Sequence, residues 1–296
     1  MAMPSLTSRA MPLAIAVLGR RRPNADDIRR EIAALQARPK PFAPPSSLGR
    51  TLDVTASTSA AGWPVFTVTP RGMTPSARVL YLHGGAYIRE ITRHHWKLVA
   101  QLAPAGASVT VPIYPVAPRG TASHVVPASA DLAEHLAKHD EPLVIAGDSA
   151  GGGLALAVAL ALRDRGTAAP AHTALISPWL DATGEHPEIR EIAPRDPWLH
   201  PDSLTVAADA YRGELDREHP WVSPLNGDLT GLGPMTLFTG TRDILNVDAR
   251  RFRPLASEAR VSLDFHEARE MIHVYPLLPI PEGKKARTIL CGLLAD

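Results

Sequence analysis

The chain has 296 residues, 45% hydrophobic and 21% charged, enough to bury a core as one large domain or two small ones and too apolar for general disorder. Its 31 Lys and Arg against 30 Asp and Glu leave a formal net charge of +1, so no long-range field draws nucleic acid or an anionic membrane. The single cysteine, Cys291, excludes an intrachain disulfide, a thiol redox pair and a cysteine zinc site, which fits a reducing, cytoplasmic setting, and 29 prolines argue for many turns rather than a helical bundle.

At the amino end, Met11 to Gly19 is apolar but far shorter than the ~20 residues of a spanning helix. Arg9 precedes it and Arg20, Arg21 and Arg22 follow, which reverses the charge order of a secretory signal. It reads as an amphipathic helix that packs on the protein or at most touches a membrane surface. Residues 1–48, two helical segments closed by the Pro-rich Arg38 to Pro45, form an N-terminal unit distinct from residues 49–296.

Short apolar runs then alternate with helix-like stretches. In order they predict strands Pro64 to Thr69 and Ala77 to His83, helix His94 to Ala103, strand Ala107 to Ile113, helix Ala128 to Lys138, and strand Pro142 to Gly147. There follow helix Ala150 to Arg165, strand Ala171 to Ile176, strand Pro234 to Gly240, helix Ala249 to Ala259 with Asp248 as N-cap, strand Val261 to His266 and helix Gly283 to Leu294. Strands without clean alternation are those buried on both faces, so the class is α/β with a mainly parallel sheet. The helix from Ala150 is apolar all round and belongs between layers. Residues 181–226, polar and proline-punctuated, are too long for an ordinary connection and read as a functional insertion such as a lid.

Gly147-Asp148-Ser149-Ala150-Gly151 follows a strand and opens a helix, the context in which a G-x-S-x-G turn projects a nucleophilic serine beside a helix N-terminus. A phosphate loop is disfavoured, because no Gly-Lys-Ser/Thr ending and no G-x-G-x-x-G register is present. His83-Gly84-Gly85-Ala86-Tyr87, earlier in the chain, brings consecutive glycines whose main-chain N–H groups can approach an oxyanion. Ser149 needs a base oriented by an acid, in the order Ser, Asp or Glu, His. His273, in the loop after the last strand, is the candidate base; His172, His186, His200, His219 and His266 fall in strands or the insertion. Asp243, directly after strand Pro234 to Gly240, is the candidate acid, with Asp248 as rival and Asp181 and Glu267 as weaker options.

These motifs, with Ser177-Pro178-Trp179-Leu180-Asp181 between them, resemble the hormone-sensitive lipase-like branch of the α/β-hydrolases over about residues 75–280, and are most similar to bacterial acetylhydrolases and monoterpene lactone hydrolases. The resemblance implies an α/β-hydrolase fold and a serine carboxylic-ester hydrolase acting on short-chain esters without metal or cofactor. It implies oxyanion N–H groups from Gly84, Gly85 and Ala150, a Ser149-His273-Asp243 triad, and a helical cap from the N-terminal helices and part of 181–226. The expected partner is a small-molecule ester, with a homodimer left open. Ala86 stands where the family often has a third glycine, and Tyr114-Pro115-Val116-Ala117-Pro118 lacks the arginine of the family's Tyr-Arg-Leu-Ala-Pro segment. A lactone hydrolase or amide deacetylase would use the same triad, and a binding protein that had lost the chemistry would share only the fold. His94-His95 reads as a packed or solvated pair, since helix neighbours point about 100° apart.

Overall fold

The computed structural model describes Ser5, Thr7, Ser8 and residues 24–294. The apolar segment Met11 to Gly19 and the arginines that follow it lie outside the described residues.

Eight strands form one sheet: β1 (Leu52–Thr58), β2 (Pro64–Pro70), β3 (Ala77–Leu82), β4 (Ala107–Pro112), β5 (Leu143–Asp148), β6 (His172–Ile176), β7 (Met235–Gly240) and β8 (Leu263–Ala268). Their spatial order is β1-β2-β4-β3-β5-β6-β7-β8, with β2 antiparallel to both neighbours and every other pair parallel. The helices are α1 (Ala25–Ala37), α2 (Arg93–Leu102), α3 (Ala122–Leu136), α4 (Ala150–Asp164), α5 (Pro187–Ile192), α6 (Pro201–Arg212), α7 (Asn246–Glu258) and α8 (Pro281–Gly292).

Both faces of the sheet are covered, which explains the lack of alternation in its central strands. Along β3, Val79 and Tyr81 join the apolar layer shared with α2 and α8, while Leu80 and Leu82 join the layer shared with α3, α4 and α7. Every residue of α4 from Ala150 to Leu162 is buried, as an all-round apolar helix between layers requires. Helix α1, opened by an Asn24-Asp27 capping box, packs on α6 from the 181–226 stretch. Among the described residues no helix is long and apolar enough to cross a membrane.

Several boundaries differ from expectation for local reasons. Strand β1 was not expected: it is an edge strand with polar side chains, of which only Leu52 is buried. Helix α3 starts at Ala122 rather than Ala128 and carries Pro127 inside it, where a lost N–H falls close to the helix start. Asp248 is not an N-cap; α7 begins at Asn246, so Asp248 lies in its first turn, fully buried against Arg251. The insertion folds into α5, α6 and short 3-10 turns rather than remaining a loop.

Candidate active site

The carboxyl ends of neighbouring parallel strands gather four chain segments at one edge of the sheet, where α/β proteins place their ligands. The loop after β3 carries His83 to Tyr87, β5 runs into Ser149, the loop after β7 carries Asp243, and the loop after β8 carries His273.

Ser149 occupies the turn from β5 into α4 at φ 54° and ψ −123°, left-handed backbone that is costly for a residue with a Cβ. Contacts from the next strand hold it there: its N–H donates to Ile176 O at 2.8 Å, and its carbonyl accepts from Trp179 N at 2.9 Å. The flanking glycines permit so tight a turn. A Cβ on Gly147 would lie 2.1 Å from Gly151 O, and one on Gly151 would lie 2.1 Å from Leu82 O. Both obstacles are backbone, so neither can swing aside. Gly151→Ala is expected to destabilise the protein by about 3 kcal/mol or more, measured by urea unfolding, since core overpacking costs 1–3 kcal/mol even where neighbours can yield.

The structure brings Ser149, His273 and Asp243 together and leaves the rival acids elsewhere. Ser149 Oγ lies 2.9 Å from His273 Nε2, and His273 Nδ1 lies 2.8 Å from Asp243 Oδ2. Since a carboxylate only accepts, Nδ1 carries the proton and Nε2 is left to accept from the serine hydroxyl. Asp243 is fully buried, and its Oδ1 accepts from Leu245 N at 2.9 Å. Burial pushes the His273 imidazole down, but the Asp243 carboxylate and its hydrogen bond, helped by Asp196 and Asp148, outweigh it and hold the ring above its ordinary value of 6.5. Asp248 and Asp181 both bind Arg251, at 3.3 and 2.6 Å, and Glu267 binds Arg250 at 2.6 Å.

Of the three amides expected to face an oxyanion, one is engaged. Gly84 N donates to Asp148 Oδ1 at 3.1 Å, so it is not free for a ligand. The N–H groups of Gly85, Ala86 and Ala150 have no acceptor among the described residues. Ala150 is the first residue of α4, where an amide has no intrahelical partner. Gly85, Ala86 and Tyr87 run at φ 130°, 53° and 61°, so Ala86 keeps the left-handed backbone that a third glycine would take without cost.

The loop is held from behind by residues that the motif reading passed over. Asp148, the second residue of Gly-Asp-Ser-Ala-Gly, is buried and accepts from Tyr81 Oη at 2.5 Å as well as from Gly84. His95 Nε2 approaches its other oxygen at 3.3 Å. Thr92 N donates to His95 Nδ1 at 2.8 Å, which leaves the ring proton on Nε2, facing Asp148. Burial penalises the Asp148 carboxylate, yet His95, Tyr81 and Gly84 together hold it below the usual carboxylate value. His83 stacks on Tyr114 with ring centres 4.4 Å apart, and burial, reinforced by His95, pushes it down to about 4, so it stays neutral. Tyr114 Oη donates to His83 O, and Ser177 Oγ accepts from Val274 N at 3.0 Å, pinning the residue after His273. The available signals were Asp148 inside the nucleophile motif and the inward member of the His94-His95 pair.

Beside the loop, the Tyr87 ring stacks on Tyr211 of α6 at 3.5 Å and lies 5.6 Å from Trp179. This aromatic cluster joins the insertion to the oxyanion loop.

Known proteins of similar sequence and structure share this fold. Residues 79–277 match the family model described as the alpha/beta hydrolase fold. The chain is 39% identical over 236 residues to LipR of Mycobacterium tuberculosis, designated an acetyl-hydrolase, covering 77% of this chain and 76% of that one. It is 37% identical over 216 residues to an acetyl-hydrolase of Streptomyces hygroscopicus, covering 70% and 72%. The crystal structure of an esterase from the bacterial hormone-sensitive lipase family superimposes with a TM-score of 0.81 at 27% identity, covering 99% of both chains.

Proposed function

Because the chain belongs to the α/β-hydrolase family, among relatives that are esterases and acetyl-hydrolases, we propose that it is a serine carboxylesterase cleaving short-chain acyl esters through an acyl-enzyme. The observation that carries this reading is the unbroken pair of hydrogen bonds from Ser149 Oγ through His273 to Asp243.

His273 Nε2 takes the hydroxyl proton as Ser149 Oγ attacks the ester carbonyl carbon, and the carbonyl electrons move onto oxygen. The open amides of Gly85, Ala86 and Ala150 receive that oxyanion, with Gly84 holding the loop against Asp148 rather than donating directly. Imidazolium formed at His273 is stabilised by Asp243 and returns its proton to the departing alkoxide, leaving the acyl group on Ser149. Water, deprotonated by the same nitrogen, then releases the acid and regenerates the serine. The packing of helix α1 on α6 of the 181–226 insertion supports a cap over this edge of the sheet, and the Tyr87, Tyr211 and Trp179 cluster beside the oxyanion loop favours small acyl groups.

The test is hydrolysis of p-nitrophenyl acetate, butyrate and octanoate, together with labelling of Ser149 by an organophosphonate. Acetate and butyrate are expected to exceed octanoate, with one label per chain. Absence of both turnover and labelling would overturn the reading, while labelling without ester turnover would redirect it to lactones or amides. His273 acts as a base only when neutral. Since its value is raised above 6.5, kcat/KM is expected to fall as pH drops through a midpoint above 6.5, and a flat profile from pH 5 to 8 contradicts His273 as the base.

A further inference from the structure

Asp196 belongs to the insertion, between α5 and α6, yet it is fully buried. Its Oδ1 accepts from Trp198 N at 2.8 Å and Leu199 N at 3.0 Å, while its Oδ2 reaches across to accept from Ile244 N at 3.0 Å. Ile244 is the residue after Asp243, and the next amide, Leu245 N, is taken by Asp243 itself. Two buried carboxylates thus hold consecutive N–H groups of one turn, and neither has a Lys or Arg partner among the described residues.

Such a pair is electrostatically costly. Burial, and then the neighbouring Asp243 charge, push Asp196 up to about 6. Backbone amides offset part of this cost, but a cation would offset more, and one arises here in every turnover: the His273 imidazolium. The charged groups that face His273 are Asp243 through its hydrogen bond, Asp196 from the insertion and Asp148 from the end of β5, all favouring the protonated ring; Asp243 is the charge that faces Asp196.

We propose that Asp196 is a positioning residue for the triad, fixing the Asp243 turn through the Ile244 amide and supplying a second negative charge to the imidazolium. This rests on the esterase reading above. It ties the insertion to the chemistry, because Asp196 grips the Asp243 turn through Ile244 N and its charge acts on His273 through space.

The first experiment compares pH profiles of kcat/KM for p-nitrophenyl acetate in the wild type and Asp196→Asn. Loss of the charge lowers the His273 value, so the acid limb is expected to move down by about half a pH unit or more, while kcat on the plateau falls about tenfold. A role confined to holding the turn would lower kcat without moving the limb, and an unmoved limb overturns the proposal. If the wild type itself shows no Ser149-dependent hydrolysis, the esterase reading fails and the proposal with it, an outcome distinct from a normal wild type with an unshifted variant.

Asn places an amide donor toward Ile244 N–H and can impair folding, so a second measurement leaves Asp196 in place. Carbon-13 NMR follows the aspartate carboxyls in the wild type, where His273 is already protonated at the pH at which Asp196 titrates, and in His273→Gln, where no imidazolium forms. Linkage requires the Asp196 midpoint to rise by about half a unit or more when the imidazolium is removed. A midpoint that stays in place overturns the proposal.

Discussion

Replacing Ser149 with alanine is expected to lower kcat for p-nitrophenyl acetate by about a hundred thousand- to a million-fold, leaving only the slow acceleration supplied by the oxyanion amides and binding. The substitution removes Oγ and nothing else. Alanine already stands at left-handed φ in Ala86, and the turn at Ser149 is held by main-chain bonds to Ile176 and Trp179 that alanine keeps. Urea unfolding should therefore shift by less than about 1 kcal/mol, within the range of ordinary substitutions. A variant that is inactive, folded and no longer labelled by organophosphonate identifies the nucleophile. A folded variant retaining a tenth of the activity would place the chemistry elsewhere.

Asp243→Asn is expected to lower kcat about ten thousand-fold with little change in KM. The amide oxygen can still accept from Leu245 N at the Oδ1 position, which preserves the turn. Its nitrogen then faces His273 Nδ1 as a donor, forcing the ring into the tautomer whose proton sits on Nε2. In that tautomer the imidazole cannot accept from Ser149 Oγ. The same measurement on Asp248→Asn and Glu267→Gln should show only a few-fold change, because those side chains serve Arg251 and Arg250. A large loss at Asp248 with Asp243→Asn near normal would reverse the assignment of the acid.

Much of this arrangement was readable in the chain. The central strands announce themselves as apolar runs because both faces of the sheet are covered, and α4 does so because every side is buried. Ser149, Asp243 and His273 could be chosen because each directly follows a predicted strand whose carboxyl end lies at the same edge of the sheet. The state of Gly84 could not be read, since its amide is taken by a carboxylate from a motif distant in sequence, and motif order says nothing of which way an N–H points. Strand β1 escaped because an edge strand exposed along most of its length has no apolar pattern. Asp196 escaped for a different reason: in a polar, proline-rich stretch a carboxylate looks solvated, and only the packing of the insertion on the Asp243 turn buries it. The same holds for Asp248, whose first-turn position resembles a cap until Arg251 is seen beside it.

The left-handed backbone of Ser149 also ties the proposed nucleophile to the assembled sheet. No local stretch of chain can hold a residue at φ 54° and ψ −123°. The bonds that do so come from Ile176 at the end of β6 and from Trp179 beyond it, both separated from Ser149 in the chain by α4. The Ser149 turn therefore takes this shape only in molecules whose central sheet is assembled. With Ser149 as the proposed nucleophile, the stoichiometry of a serine-directed label in a partly denatured sample is expected to count native chains rather than total protein.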